Sequence, residues 1–262
     1  MPYQMLTLDI HDHIATITLN RPDAYNALNV QMALELLDAT TRVDEDPEIR
    51  CVVVTGAGKA FCAGGDVKAF HDQLSQIGAH LKHLTGPLHG SLSRIARMPK
   101  PVVAAVNGVV AGAGVGLMVA CDLSYAVETA TLTMAYTRIG ANPDASLTFW
   151  LPRLVGVRRA LELMYLNRTL TAREASAWGL FNDVFPLDKF HNEVYAIASR
   201  LANGPTLAYA RSKKLCYISL NETLETQMEY EAREIGDSGG TDDFREGVLA
   251  FVKKRTPTFQ GR

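Results

Sequence analysis

The chain has 262 residues, 47% hydrophobic and 21% charged, which fits a folded globular protein and excludes a disordered or low-complexity one. Lys and Arg number 26 against 28 Asp and Glu, a net charge of −2, so the charge balance does not point to nucleic acid or an anionic membrane. Cysteines 51, 62, 121 and 216 form no C-x-x-C motif, and the first residues lack a basic segment leading into an apolar one; reduced thiols and a cytoplasmic location are expected.

Met5 to Ile10 and Ile14 to Leu19 alternate apolar and polar residues around His11-Asp12-His13, which predicts a β-hairpin. Asn29 is placed to cap an amphipathic helix over about Val30 to Val43. The apolar run Cys51 to Thr55 reads as a buried parallel strand. It ends in a glycine turn, with Asp66 placed to cap the helix that follows. His71 to Met98 reads as helix broken at Gly86-Pro87, and Pro101 to Val106 as a central strand.

Next comes Asn107 to Gly116, a second glycine-rich turn opening into the apolar run Leu117 to Ala120. A strand that passes through glycines into a helix presents free backbone N–H groups, backed by the helix dipole, to negative charge. Three other readings compete. Val102 to Ala120 is apolar enough to suggest a membrane helix, but Asn107 and dense glycine interrupt it. The spacing misses G-x-G-x-x-G and no Lys-Ser/Thr follows, so a nucleotide fingerprint is weak. The glycines could also serve packing alone. Two such turns in one chain, each offering N–H groups, suit the joint stabilisation of an acyl or thioester oxyanion.

Further on, Leu123 to Ala126 and Thr131 to Met134 read as extended, and Asn142-Pro143-Asp144-Ala145-Ser146 as a turn into a helix through Leu154. Asp144 there has the chemistry of a helix N-cap. Helices follow at Arg158 to Tyr165, Thr171 to Trp178 and Lys189 to Ala202, with a strand at Leu180 to Val184. From Pro205 onward the periodicity is helical throughout. His80, His83 and His89 lack the partners and spacing of a metal site, so none is expected. The fold class is α/β with a C-terminal helical appendage.

With both glycine turns placed, the sequence resembles the crotonase (enoyl-CoA hydratase/isomerase) superfamily along nearly its whole length. The resemblance rests on Asn20-Arg21-Pro22, Ala60-Phe61-Cys62-Ala63-Gly64-Gly65-Asp66, Pro101 to Gly108, Ala120-Cys121-Asp122-Leu123 and Leu151-Pro152-Arg153-Leu154-Val155-Gly156. It extends to Glu174-Ala175, Trp178-Gly179-Leu180 and Phe251-Val252-Lys253-Lys254-Arg255. It implies a spiral of ββα units over residues 1–196, and a helical region over 197–262 that serves oligomerisation and CoA contacts. It further implies an acyl-CoA substrate, a homotrimer or dimer of trimers, and no cofactor beyond the CoA thioester itself.

The superfamily's oxyanion hole maps onto the N–H groups of Gly65 and Ala113. CoA or substrate contacts map onto Tyr25, Ala27, Ala63, Gly64, Asp66, Val67, His89, Gly112, Tyr136, Phe251 and Lys254. The two glutamates with which the hydratases hold water fall at Gly116 and Tyr136, neither an acid, which argues against two-glutamate hydration. Asp144 instead matches the single catalytic aspartate of isomerases similar to the phenylacetate-pathway enzyme. Such a base calls for apolar walls, for which Tyr136, Leu147 and Phe149 are candidates.

The expected reaction is double-bond migration, or ring-epoxide isomerisation, through Asp144. Enoyl-CoA hydratase is one alternative. Another is a 4-chlorobenzoyl-CoA dehalogenase-like hydrolase, since Asp144 and His89 fall on that enzyme's Asp and His while Tyr136 replaces its Trp. There, His89 as an ordinary helix-start residue is the preferred reading. A non-catalytic acyl-CoA-binding protein, with Asp144 only a cap, is the third alternative.

Overall fold

The computed structural model describes residues 2–262. The chain opens on a hairpin, β1 (Leu6–His11) and β2 (Ile14–Leu19), followed by α1 (Val30–Glu45). The Asn29 side chain accepts the Met32 N–H at 2.8 Å and starts that helix as expected. Then come β3 (Cys51–Gly56), β4 (Ala60–Cys62), α2 (Val67–Asp72), α3 (Ile77–Arg97), β5 (Val102–Val106), β6 (Val109–Ala111) and α4 (Ala113–Ala120). The next stretch holds β7 (Leu123–Val127), β8 (Thr131–Thr133), α5 (Leu147–Val155), α6 (Val157–Leu166), β9 (Leu170–Thr171), α7 (Ala172–Ala177) and β10 (Asp183–Phe185). Four helices end the chain: α8 (Leu187–Ala202), α9 (Thr206–Ile218), α10 (Leu224–Gly239) and α11 (Asp242–Val252).

The strands make two sheets, one ordered β1-β2-β3-β5-β7-β10 and the other β4-β6-β8-β9. From β2 onward the first sheet is parallel, and β4, β6 and β8 run parallel in the second. The units β3-β4-α2/α3, β5-β6-α4 and β7-β8-α5 each put one strand in either sheet and then a helix, which is the expected ββα spiral. β3 and β5 are buried almost throughout, which is why they read as unbroken apolar runs.

Two expectations need correction, the helix break at Gly86-Pro87 and the strand over Leu180 to Val184, which the structure places at Asp183–Phe185. α3 runs unbroken through Gly86-Pro87. Leu84, Leu88, Leu92 and Ile95 are buried on one face of it, and α1 lies against it, so tertiary burial overrides the local penalty of proline. The apolar span from Val102 to Ala120 divides into β5, β6 and α4, and no helix among the described residues is long and apolar enough to cross a membrane.

α8 continues through residues 196 and 197. α9 is fastened to the core by Lys213, whose Nζ meets Asp122 Oδ2 at 2.8 Å while the Tyr217 hydroxyl donates to Oδ1. α10 and α11 bury little and leave Leu224, Met228, Ile235, Phe244, Val248 and Phe251 exposed.

Candidate active site

Both glycine turns lie at the ends of second-sheet strands, Gly64 after β4 and Gly112 after β6. Each takes positive φ, +94° at Gly64 and +51° at Gly112, a conformation that is costly for other residues. They also press on each other. A Cβ added at Gly64 would sit 3.0 Å from the Ala111 carbonyl oxygen and 3.3 Å from the Ala113 nitrogen. The turns are therefore in direct backbone contact, and the N–H groups of Gly65 and Ala113 stand beside each other without a protein acceptor among the described hydrogen bonds. Ala113 is the first residue of α4, so the dipole of a buried helix adds to its N–H.

The first turn is fixed from behind. Leu28 N–H donates to the Gly64 carbonyl at 2.7 Å, Asp66 N–H to the Leu28 carbonyl at 2.9 Å, and Ala63 N–H to the Tyr25 carbonyl at 3.0 Å. Asp66 caps α2 through the Ala69 N–H and accepts from Arg21 Nη2 at 2.9 Å. Burial works to raise the Asp66 carboxyl, but the Arg21 and helix N–H hydrogen bonds outweigh it and hold the group below its ordinary range.

In front of the two N–H groups opens a cavity of about 680 Å³. Ala63, Gly64, Gly65, Val67, Gly112 and Ala113 form the end that carries the two N–H groups. Phe70 and Leu74, with Ile77, Leu81, Leu84 and Leu88 of α3, make an apolar wall. Tyr136, Arg138, Asn142 and Asp144 close the remaining side. Asp144 is the one carboxylate among the described lining residues. The Tyr136 hydroxyl donates to Asp144 Oδ1 at 2.5 Å. Burial, then the adjacent carboxylate, pushes the phenol far above its ordinary range, so it stays a donor.

A family model described as enoyl-CoA hydratase/isomerase matches residues 9–262. The chain belongs to this family. A Rhodobacter capsulatus protein named "Probable enoyl-CoA hydratase" is 41% identical, with 100% of both chains covered. The 1,2-epoxyphenylacetyl-CoA isomerase of Escherichia coli is 36% identical, with 95% of each chain covered. A 4-chlorobenzoyl coenzyme A dehalogenase of an Arthrobacter species is 37% identical, covering 95% of this chain and 91% of its own. The crystal structure of enoyl-CoA hydratase from Bacillus anthracis superposes with a TM-score of 0.93 at 33% identity, covering 99% of this chain and 100% of that one.

Measured against the site residues expected from the family, the structure gathers Ala63, Gly64, Gly65, Val67, Gly112, Ala113, Tyr136 and Asp144 around the cavity. Tyr25, Ala27 and Asp66 lie beside the first turn and outside the cavity lining, Tyr25 half-exposed and the Ala27 carbonyl taken by Arg21. Phe251 and Lys254, at the exposed end of α11, stand apart from the cavity lining.

Asp144 is not a helix cap. Ser146 holds the cap position of α5 and makes no capping side-chain bond, while the Asp144 carboxylate turns to Tyr136. Leu147 and Phe149 do not wall the cavity. Leu147 is buried in the core, and Phe149 is exposed with the Arg153 guanidinium over its ring. Nor does His89 begin a helix. It lies inside α3, outside the cavity lining, and its Nε2 accepts the Ala145 N–H at 3.2 Å.

The α3 wall went unread in the sequence, although the signal was there: 77, 81, 84 and 88 are spaced as one helical face. Among the described residues no group of three or more His, Cys, Asp or Glu is placed to hold a metal.

Proposed function

We propose that the chain is an enoyl-CoA isomerase that moves a double bond through Asp144 alone. The observation that carries this reading is the single carboxylate on a cavity that also offers two N–H groups without a protein acceptor among the described residues. Asp144 removes a proton from C2 of a 3-enoyl-CoA, and the electrons move onto the thioester oxygen, where the Gly65 and Ala113 N–H groups hold the enolate. Asp144 then returns the proton at C4, leaving the 2-enoyl-CoA. Because Oδ1 accepts from Tyr136, Oδ2 is the shuttling oxygen.

Hydration through paired acids lacks its parts. Position 116 is glycine and position 136 a phenol. A Cβ on Gly116 would collide with the Ala145 carbonyl and come within 2.6 Å of the Ala145 Cβ, so even a glutamate placed there has no room. Dehalogenase-like hydrolysis would use His89 as a base, but its Nε2 lone pair is engaged by the Ala145 N–H.

The reaction needs no cofactor beyond the CoA thioester. Tyr25, Ala27, Ala63 and Val67 flank the CoA arm, and Phe251 and Lys254 reach the CoA of a neighbouring subunit. Assembly is a homotrimer or dimer of trimers, supported by the apolar side chains that α10 and α11 leave exposed.

Asp144→Asn tests the reaction. Turnover of a 3-enoyl-CoA is expected to fall by roughly 10²–10⁴-fold, with binding of a saturated acyl-CoA retained in calorimetry. Undiminished turnover would refute the proposal.

A further inference from the structure

Asp144 sits in a backbone arrangement that its own sequence does not favour. Ala145 and Ser146 follow it in the left-handed region, φ +52° and +58°, without being glycine. A residue other than glycine is strained there and persists only where the surroundings enforce it. Two contacts from distant parts of the chain enforce it here. His89 of α3 accepts the Ala145 N–H at Nε2, across 56 residues of sequence. On the other side, Ala145 lies against Gly116 of α4, where any side chain would strike its carbonyl.

We propose that His89 is a positioning residue for Asp144, holding the Asp144–Ser146 turn through the Ala145 N–H, and that glycine at 116 supplies the space the turn occupies. The inference rests on Asp144 being the acid of the proposed isomerisation, and adds what aims it. Accepting the Ala145 N–H occupies the Nε2 lone pair of the imidazole. It acts on the turn and touches no substrate, since it lies outside the cavity lining. The α3 face bearing Leu84 and Leu88 lines the cavity, and His89 on the same turn of helix holds the acid's turn. Together with the Tyr136 hydroxyl, His89 fixes Asp144 at both its carboxylate and its backbone.

The test compares His89→Ala with His89→Gln, whose side-chain oxygen reproduces an Nε2 acceptor but cannot act as a base. With a 3-enoyl-CoA, kcat of His89→Ala is expected to fall by about 10²-fold while KM changes by less than roughly twofold, the signature of a misplaced reacting group. His89→Gln recovers kcat to within roughly fivefold of the parent. Crystal structures are expected to show Asp144 withdrawn from the Tyr136 hydroxyl in His89→Ala and in Gly116→Ala, and in place in His89→Gln.

Unchanged kcat in His89→Ala, a glutamine variant as poor as the alanine one, or an undisplaced Ala145 in Gly116→Ala would each overturn the inference. If His89→Ala does not fold, His89→Gln decides alone, near-parental kcat supporting the proposal and collapse refuting it. Asp144→Asn run alongside separates the two levels. Retained turnover there ends the isomerase reading, and the crystal structures still decide the positioning.

Discussion

The side of the cavity that carries the Gly65 and Ala113 N–H groups is set by backbone packed on backbone, whereas the Asp144 side depends on side chains reaching in from elsewhere. The two glycine turns touch directly, and hydrogen bonds from Leu28 and Asp66 lock the first from behind. Asp144, by contrast, takes its place from a phenol eight residues earlier and an imidazole on another helix. Main-chain donors fixed by packing need no reorganisation as charge develops, which is what an oxyanion site requires. A proton carrier must reach two carbons, and a carboxylate on a loop with one oxygen tethered and one free suits that task.

Breaking the backbone side should have the largest effect. Ala113→Pro removes one N–H at the first position of α4, where proline is tolerated in helices. The expected loss is roughly 10²–10³-fold in kcat on a 3-enoyl-CoA, about 3 kcal/mol of barrier, with circular dichroism unchanged. Activity near the parent value would mean that the Ala113 N–H carries no developing charge.

Next comes Gly64→Ala, which forces a Cβ into the left-handed region against the Ala111 carbonyl. Thermal unfolding should show a loss of about 1–3 kcal/mol. The acid side should respond more mildly to loss of its phenol. Tyr136→Phe frees Oδ1, and the predicted cost is on the order of tenfold in kcat with KM little changed. A rise in kcat would instead show that the hydroxyl holds back the base.

The smallest effect concerns the support behind the first turn. Asp66 is held below its ordinary carboxylate value of 3.8, so its contribution is fully present above that pH and disappears as pH falls through the lowered one. Arg21→Met should cost about 1 kcal/mol or less at neutral pH. Urea titrations should show the gap between variant and parent closing only once the pH drops below the ordinary value.

The hairpin, α1 with its Asn29 cap, the buried runs of β3 and β5 and the C-terminal helices were legible because each is written locally, in alternation, capping chemistry or helical period. β4 and β6 were not recognised as strands. Each is three residues long and hidden among glycines, and what makes them strands is pairing with partners about 50 residues away. The same limit hid the setting of Asp144. A helix-cap reading satisfied every local rule for Pro143-Asp144, and only the fold reveals that Tyr136 takes the carboxylate instead. Pro87 misled in the opposite direction, since a strong local stop signal lost to burial of the α3 face.

The order of strands in the sheets carries a consequence for how the chain is made. In the first sheet β2, β3, β5, β7 and β10 lie side by side in the order of synthesis, and in the second so do β4, β6, β8 and β9. Each new turn of the spiral is therefore laid against the turn completed just before it, and no strand waits for a partner from the far end of the chain. A chain growing from its N-terminus meets a finished edge at every step, which keeps loop closures short for a largely parallel fold. The Gly116–Ala145 contact joins consecutive turns of that winding, so the acid takes its final place as soon as one more turn is added.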